Sequence, residues 1–554
     1  MRFPSPERWF WPATCALLAC MGLSMTRAAL EESLTYDEGF HLVAGFSYWK
    51  TGDYRLNPEH PPLSKLLSAA PLLFTSAQMP HKPDSWRDAD MTGLFRPFLF
   101  ENRVSADQLL FLGRLPIIGV TLCLGLMIAL WARRRFSAGA ALLALALYAT
   151  DANFLAHGHY VTTDVLASLG IFLAAVTWVG YLETGRGRDL LWASLALGVA
   201  LASKFSALYL LGVHPLLYLL FRAKVGHRRV YTALAGSAVV LALAYGPETL
   251  RMFSKEGVEP LSKQIPTETR LGALAHQAAV SLHLPAHKFL LGFGMLAQHN
   301  AEGHNSYLLG KTSKQGDWRY FPVAFAVKTP SGTLLLLAFS LVAFPLRLAW
   351  PPWKVALLAY PAAYMALSIG SNLNIGLRHL LPLYPFLFVL TGAAMTNWKH
   401  RRHAVIAVAA VLTIHGVELA RTAPHYLAFF NTFAGGAANG PRYLLDSNID
   451  WGQDASRLKS WMERSKLDEV CLSYFGSASA EDYGIRHMPL LHAPTDADRA
   501  RLDCIAAISV NNLYDLYMPA GTHAWARRLK PFSHIGHSIY LYDLRKDRSQ
   551  PLLP

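Results

Sequence analysis

Thr35-Tyr-Asp-Glu-Gly-Phe-His41, followed shortly by Leu56-Asn-Pro-Glu-His-Pro-Pro-Leu63, is the stretch on which the reading of this chain turns. Two adjacent carboxylates, Asp37 and Glu38, stand a few residues beyond an apolar segment at 9–30. An acid at a membrane boundary is costly to desolvate, so a pair kept there points to chemistry or ion binding. In an arbitrary loop the same pair would be two solvated surface acids. The rest of the chain argues against that reading.

Hydrophobic residues make up 53% of the 554 positions and charged ones only 16%, with a mean hydropathy of +0.23. Those values fit a polytopic membrane protein better than a set of soluble domains. The apolar residues also come in blocks near the roughly 20 residues a bilayer requires. The blocks are 9–30, 113–132, 138–156, 161–182, 189–202, 204–221, 229–247, 321–346, 354–370, 377–397 and 403–420. The short pair 189–202 and 204–221 is separated only by Lys204 and reads either as two spans or as one bent one.

Charge decides between those counts. The basic clusters are Arg2 with Arg8, Arg133-Arg134-Arg135, Arg186 with Arg188, Arg222 through Arg229, Arg347 with Lys354, and Lys399 through Arg402. All fall on one side if about eleven spans are real, as the positive-inside rule requires. The expectation is an α-helical polytopic protein with its N-terminus in the cytoplasm and its C-terminus outside. The net charge of +14 is then an orientation signal. It does not point to nucleic acid, because the Lys and Arg residues are spread over short loops without an aromatic-interleaved basic face. Residues 1–28 also admit a signal-peptide reading, with a basic start and small residues near Ala28. Alternation of the loops favours an inserted helix.

Three long polar segments, 31–112, 248–320 and 421–554, fall on the outer side. The first contains an amphipathic stretch from Pro61 to Ala77, interrupted by Pro71, expected to lie along the interface. The last opens on the turn-rich Gly435-Gly-Ala-Ala-Asn-Gly-Pro441. It continues with a helix over Asp454 to Arg464, in which Leu458, Trp461 and Met462 recur at helical spacing. Val470 to Phe475, Cys504 to Val510 and His537 to Leu544 read as short strands. The organisation expected is a transmembrane domain at 1–420 and a small extracytoplasmic α/β domain at 421–554. Cys15, Cys20 and Cys123 lie in spans and read as small buried apolar residues. Cys471 and Cys504 lie where an oxidising compartment would permit a disulfide.

Several groups carry candidate chemistry. Asp37 is the candidate base for an acceptor hydroxyl, with Glu38 as its hydrogen-bonding partner or a cation ligand. Neighbours on an extended strand face opposite ways, so the two acids are expected to do different jobs. In His157-Gly-His-Tyr-Val-Thr-Thr-Asp164, His157 and Asp164 are candidate ligands for a divalent metal, or interfacial polar residues with Asp164 as a helix cap. Lys204, Arg378 and Arg114 sit at helix ends inside apolar sequence and would suit a phosphate. They would otherwise snorkel to headgroups. Gly303-His-Asn-Ser-Tyr-Leu-Leu-Gly310 and Trp318-Arg-Tyr-Phe-Pro322 precede the eighth span. Their aromatics suit either an interfacial belt or stacking on a sugar or an isoprenoid chain.

Together these residues resemble the dolichyl-phosphate-mannose protein mannosyltransferase superfamily, in particular its bacterial polyprenyl-phosphate-dependent branch. The motifs are Asp37-Glu38, Lys50-Thr-Gly-Asp-Tyr-Arg-Leu-Asn-Pro-Glu-His-Pro-Pro-Leu-Ser-Lys65, Asn153-Phe-Leu-Ala-His157 with Thr162-Thr-Asp164, and Ala202-Ser-Lys204. They continue through Gly303-His304 with Tyr307-Leu-Leu-Gly310, Tyr320-Phe-Pro322 with Lys328-Thr-Pro330, and Asn374-Ile-Gly-Leu-Arg-His-Leu-Leu-Pro382. The last is Asp446-Ser-Asn-Ile-Asp-Trp-Gly-Gln-Asp454.

The resemblance implies a GT-C type glycosyltransferase in a bacterial inner membrane, its site on the periplasmic side. It would move a hexosyl or pentosyl group from a polyprenyl-phosphate sugar to a hydroxyl of a protein, lipid or glycan. Asp37 matches the family's catalytic first-loop acid, Glu38 its partner, and Asp164 the second-loop acid associated with donor or metal. Lys204 and Arg378 look like the cations facing the donor phosphate, and Asn57, His60, His304 and Tyr320 fall where substrate is held. Arg319 departs from the family, whose members have another aromatic there. Two other classes compete: a secondary transporter, which would hold its ionisable groups near the midplane, and an assembly or sensor protein acting through the C-terminal domain.

Overall fold

The computed structural model describes residues 6–221, 228–246, 287–343, 350–396, 401–490 and 502–546, with residues 248, 270, 273–274, 277 and 552 besides. Residues 222–227 of the Arg222 cluster, Arg347, Lys399 and most of the outer segment before 287 lie outside the described residues. Most of the remainder is helical. Among the described residues, five helices are long and apolar enough to cross a bilayer: Pro6–Glu31, Ala106–Arg135, Asp164–Thr184, Leu377–Ala394 and Val405–Thr422. The local rules are visible in Ala106–Arg135. Ser105 caps it by accepting from the Gln108 N–H, Asp107 lies in its first turn, and three arginines close its last turn, matching the helix dipole at both ends.

Several apolar stretches are broken where the sequence suggested one rod. The stretch 138–156 divides into Ala138–Ala149 and Ala152–His157, the second capped by the Asp151 side chain. At 321–346, Tyr320–Lys328 and Ser331–Val342 meet at 111°, because Pro330 cannot continue the first helix and disfavours helical backbone at Thr329. Lys204 is extended (φ −158°, ψ 141°) between Gly187–Ser203 and a 3-10 turn at Phe205–Tyr209, so the short pair is separated by a true break. Small residues let helices close on one another. A Cβ on Gly170 would lie 2.8 Å from Ala200 Cα, which draws Asp164–Thr184 onto Gly187–Ser203.

The first outer segment packs as helices Glu38–Thr51, Leu63–Ala69 and Met91–Phe100 over its own core, which includes Leu42, Phe46, Phe95 and Phe98. The amphipathic stretch forms Leu63–Ala69 followed by a 3-10 turn at Ala70–Phe74, with Phe74 fully outward.

Seven strands are described: β1 Ser306–Leu308, β2 Lys311–Ser313, β3 Val470–Ser473, β4 His487–Pro489, β5 Ile505–Ser509, β6 Ser533–Ile535 and β7 Ile539–Asp543. The first two form a hairpin and the others a mixed sheet in the order β4-β3-β5-β7-β6. The central β3 and β5 are buried throughout and pair in parallel. Leu458, Trp461 and Met462 of Ala455–Arg464 belong to the core on this sheet. A disulfide joins Cys471 to Cys504. The other three cysteines, expected to be buried, lie exposed on their helices, where a small apolar side chain is tolerated against lipid.

Gly45 fixes how the first outer segment closes. A Cβ there would come within 2.1 Å of the Lys65 carbonyl oxygen. Gly45→Val should therefore lower stability by ~1–3 kcal/mol through overpacking, read as a lower thermal midpoint in detergent. Gly416→Ala, where an added Cβ meets nothing within 4 Å, should leave the midpoint in place.

Candidate functional site

Asp37 and Glu38 begin a helix. Asp37 is the N-cap residue with near-helical backbone (φ −85°, ψ −23°), and Glu38 is the first residue inside. The expected extended backbone is therefore corrected. The two carboxylates still diverge, since successive helical residues are turned by about 100°.

Glu38 turns inward. It is fully buried and receives Arg114 Nε at 2.9 Å and Nη2 at 2.7 Å, together with the Thr35 and Val161 N–H groups at 2.9 Å. Burial pushes its pKa up, but the charge and hydrogen bonds of Arg114 outweigh that and hold it below the usual carboxylate range. The remaining Arg114 donors go to the carbonyls of Ala29, Glu32 and Ser33 at 2.9 Å. All five guanidinium N–H groups are thereby used. Arg114 consequently has no donor left for a phosphate, and its expected place at the donor is replaced by that of an anchor for the first outer segment.

Asp37 turns outward and is a quarter exposed, at 25%. Its Oδ2 accepts from Arg378 Nη1 at 2.8 Å. The same nitrogen lies 3.7 Å from Asp164 Oδ2, and Asp164 Oδ1 accepts from Lys204 Nζ. Two acids and two bases from four distant parts of the chain thus form one continuous array. Each is placed by an irregularity: the helix start at Asp37, the extended break at Lys204, the first residue of Asp164–Thr184, and the 3-10 turn Leu377–Leu383 that carries Arg378.

The loop Asp446 to Asp454 supports the array from below. The Arg378 guanidinium lies 4.2 Å from the centre of the Trp451 ring, a cation–π contact that fixes its plane. The Tyr36 N–H donates to the Trp451 carbonyl at 2.8 Å and the Ser33 N–H to that of Gln453 at 3.0 Å. These backbone bonds hold the segment carrying Asp37 against the loop. The Leu377 N–H donates to Asn448 Oδ1 at 3.0 Å, and Ser447 Oγ donates to the Ile375 carbonyl at 2.6 Å. Lys328 Nζ donates to the carbonyls of Leu427 and Asn448 at 2.7 and 2.6 Å.

The other expected residues divide. His60 is half-buried, its ring 5.1 Å from that of His41. Burial drives His60 well below its ordinary pKa, and it drives His41 down to about 4 against the pull of Asp37. Both imidazoles are therefore neutral hydrogen-bonding groups at neutral pH. Asn57 shapes the loop through a left-handed backbone (φ 50°). Its carbonyl and that of His60 accept from the buried Lys65 Nζ at 2.6 and 2.7 Å. Tyr320 is buried, its hydroxyl accepting from Asn448 Nδ2 at 3.0 Å. Its ring is enclosed beneath the supporting loop, where a ring open at the membrane boundary was expected. His304 reaches Tyr517 of the C-terminal domain at 3.2 Å.

A metal does not fit at Asp164 and His157. Asp164 is faced by Lys204 and Arg378, whose positive charges compete with a cation for its oxygens. The His157 ring packs 5.9 Å from that of Trp451. Among the described residues no group of three or more His, Cys, Asp or Glu side chains is arranged to hold a metal ion.

Sequence reasoning missed Glu32. It is buried and accepts from the Tyr160 hydroxyl at 2.7 Å, with His159 Nε2 at 2.9 Å and Arg457 at 3.4 Å. Burial raises its pKa, but His159 and Arg457 bring it down to about 2. Its position two residues past the first apolar block, 9–30, was the available signal. On the outer side, a cavity of about 670 Å³ opens between the hairpin and the C-terminal domain, lined by Asn305, Thr312, Lys314, Tyr514 and Arg527 among others.

Residues 106–246 match the sequence profile of the dolichyl-phosphate-mannose-protein mannosyltransferase family, so the resemblance read from the motifs holds over a stretch containing Arg114, Asp164 and Lys204. No curated protein sequence matches the chain. Among solved structures, the chain is similar to ArnT from Cupriavidus metallidurans bound to undecaprenyl phosphate, at 12% identity and TM-score 0.48, covering 98% of this chain and 100% of that one. The apo state of the same protein gives 13% identity and TM-score 0.49, with 97% of each chain covered. The Archaeoglobus fulgidus oligosaccharyltransferase in the apo form gives 12% identity and TM-score 0.47, covering 94% of this chain and 72% of that one.

The Glu38–Arg114 pair makes a direct prediction. Arg114→Met should strand a buried carboxylate and cost about 3–5 kcal/mol, seen as a large fall in thermal midpoint. The double variant Arg114→Met with Glu38→Gln should recover part of that loss.

Proposed function

We propose that this protein is an inverting glycosyltransferase of GT-C type that takes a sugar from a polyprenyl-phosphate donor and transfers it to a hydroxyl acceptor at the outer face of the membrane. The observation that carries the reading is the array Asp37–Arg378–Asp164–Lys204, partly open at Asp37 and closed below by Trp451. The profile match supports the donor class, since the matched family is named for a lipid-phosphate sugar.

The charges suit that chemistry. Asp37 removes the proton from the acceptor hydroxyl, and the oxygen attacks the anomeric carbon from the face opposite the phosphate. The bond from that carbon to the phosphate oxygen breaks with its electron pair, leaving polyprenyl phosphate. The donor phosphodiester carries one negative charge and the departing phosphomonoester approaches about two. Lys204 and Arg378 meet a charge that grows during the reaction, so they stabilise the transition state more than the bound donor. Asp164 holds both cations in place before the donor arrives. Neutral His60 and His41 line the neighbouring wall of the first outer segment.

The extended break at Lys204 would also suit a transporter, in which unwound backbone lines a substrate path. One assay separates the readings. Purified protein given radiolabelled polyprenyl-phosphate sugar should release free lipid phosphate only when acceptor is present. Asp37→Asn should lower that turnover by ~10²–10⁴-fold while the protein still inserts and binds donor. Unchanged turnover in the variant would remove Asp37 as the base.

A further inference from the structure

A second chain of polar groups runs across the outer face beside the array. Glu59 Oε1 lies 3.1 Å from His299 Nδ1, His299 Nε2 lies 3.2 Å from His304 Nδ1, and His304 Nε2 lies 3.2 Å from the Tyr517 hydroxyl. The Tyr517 hydroxyl in turn donates to Asp446 Oδ2 at 2.5 Å. The five groups come from the first outer segment, the segment before the β1–β2 hairpin, and the C-terminal domain with its connecting loop.

Their protons can be counted. Four hydrogen bonds join the five groups, and each needs one proton. Neutral His299, His304 and Tyr517 supply three between them, whereas the carboxylates at the two ends, when ionised, can only accept. The chain therefore closes only with one proton in excess. Its polarity is then fixed at both ends. Tyr517 donates to Asp446, so it accepts from His304 Nε2–H, and His299 donates Nδ1–H to Glu59. The middle bond closes with the excess proton on either ring, and the Glu59 carboxylate against His299 selects His299, whose Nε2–H is then donated to His304 Nδ1.

We propose that Glu59, His299, His304, Tyr517 and Asp446 form a positioning relay that shares one excess proton and, while it holds that proton, docks the C-terminal domain against the outer segments beside Asp37. Tyr517 carries the consequence toward the site. Its ring stacks on Phe475 at 4.9 Å and 7°, and Phe475 stacks on Tyr36 at 5.6 Å and 13°, so the relay braces the residue next to Asp37. Loss of the proton leaves two lone pairs facing each other at one of the four contacts, and the dock loosens there. Only that consequence for the site rests on the transferase reading.

The surroundings agree with this assignment. The hydrogen bond to Glu59 raises His299, against burial and with help from the charges of Glu59 and Glu302. Burial lowers His304, aided by His299 and Arg378 and opposed by Asp37 and Glu59. Burial raises Asp446 to about 6, with the Tyr517 hydrogen bond and Arg378 lowering it and Asp37 raising it. Tyr36 and Tyr320 also feel the Asp446 charge. Because His299 is raised, its contribution is fully present below its ordinary value of 6.5 and is lost as pH rises through the raised one.

The test uses the full chain in lipid bilayers, with histidine labelled by ¹⁵N and followed by solid-state NMR across pH. His299→Gln and His304→Gln assign the signals. In the wild type, His299 should be doubly protonated at and somewhat above pH 6.5, with His304 neutral and protonated on Nε2. Tyr517→Phe removes one bond and one proton, so the shortened chain closes without an excess. His304 should then shift to the Nδ1–H tautomer and the His299 midpoint should fall. Glu59→Gln supplies an amide donor at the other end, so the His299 midpoint should fall while His304 keeps Nε2–H. Signals of both rings unmoved by Tyr517→Phe, or a His304 tautomer that shifts equally in both variants, would overturn the relay. None of these readouts requires turnover, so an inactive protein would count against the transferase and leave the relay judged on its own evidence.

Discussion

The rest of the structure depends on a buried pair that takes no part in the proposed chemistry. Glu38 and Arg114 are both removed from solvent, and such a pair is tolerable only where every remaining donor and acceptor is satisfied. Here the guanidinium spends its other donors on the carbonyls of Ala29, Glu32 and Ser33 around the end of the first helix, and the carboxylate also takes two backbone N–H groups. The result pins the start of the helix Glu38–Thr51 to the long helix Ala106–Arg135. Asp37, one residue earlier, is left projecting from a rigid base toward Arg378. The buried member of the acidic pair gives precision, and the partly exposed member reaches Arg378 at the open side of the array.

The same division recurs across the site. Trp451 presents a flat face to Arg378, and the backbone of 33–36 is stitched to 451–453, so the two cations and two acids meet without any of them lying on a flexible tip. The array is electrically balanced before substrate arrives. A lipid phosphate entering it would take over cations already desolvated and oriented, which is the condition under which electrostatic stabilisation exceeds its value in water. The C-terminal domain belongs to this arrangement through Asp446, Tyr517 and Phe475, and is no independent appendage.

Much of the architecture was legible in the sequence because it rests on local signals. Apolar blocks, basic clusters and the helix over Ala455–Arg464 follow from composition and period. So do β3, β5 and β7, within a residue or two of their expected ends. Asp37, Asp164, Lys204 and Arg378 stood out as charges at the margins of apolar blocks, and the structure brings these four together. What could not be read is partnership over long separations. Arg114 and Lys204 are equally conspicuous cations in apolar sequence, yet one is consumed by Glu38 and the other faces the site. Tyr320 looked like an interfacial ring and is held inside by Asn448. Pro330 was visible, but a bend of 111° depends on what the second helix packs against. The Glu59–His299 contact spans 240 residues, and no spacing rule reaches so far.

The central claim is that Lys204 and Arg378 form the seat of a lipid phosphate, and its most direct test is binding, measured apart from transfer. Native mass spectrometry of the full chain with a polyprenyl phosphate should show a specific complex that is weakened at least ~10-fold in Lys204→Gln, the loss expected for one charge-assisted contact. Both proteins are compared well below their thermal midpoints, because Lys204→Gln also strips a partner from the buried Asp164 and lowers the midpoint of the variant. Equal affinity in the two proteins would contradict the account.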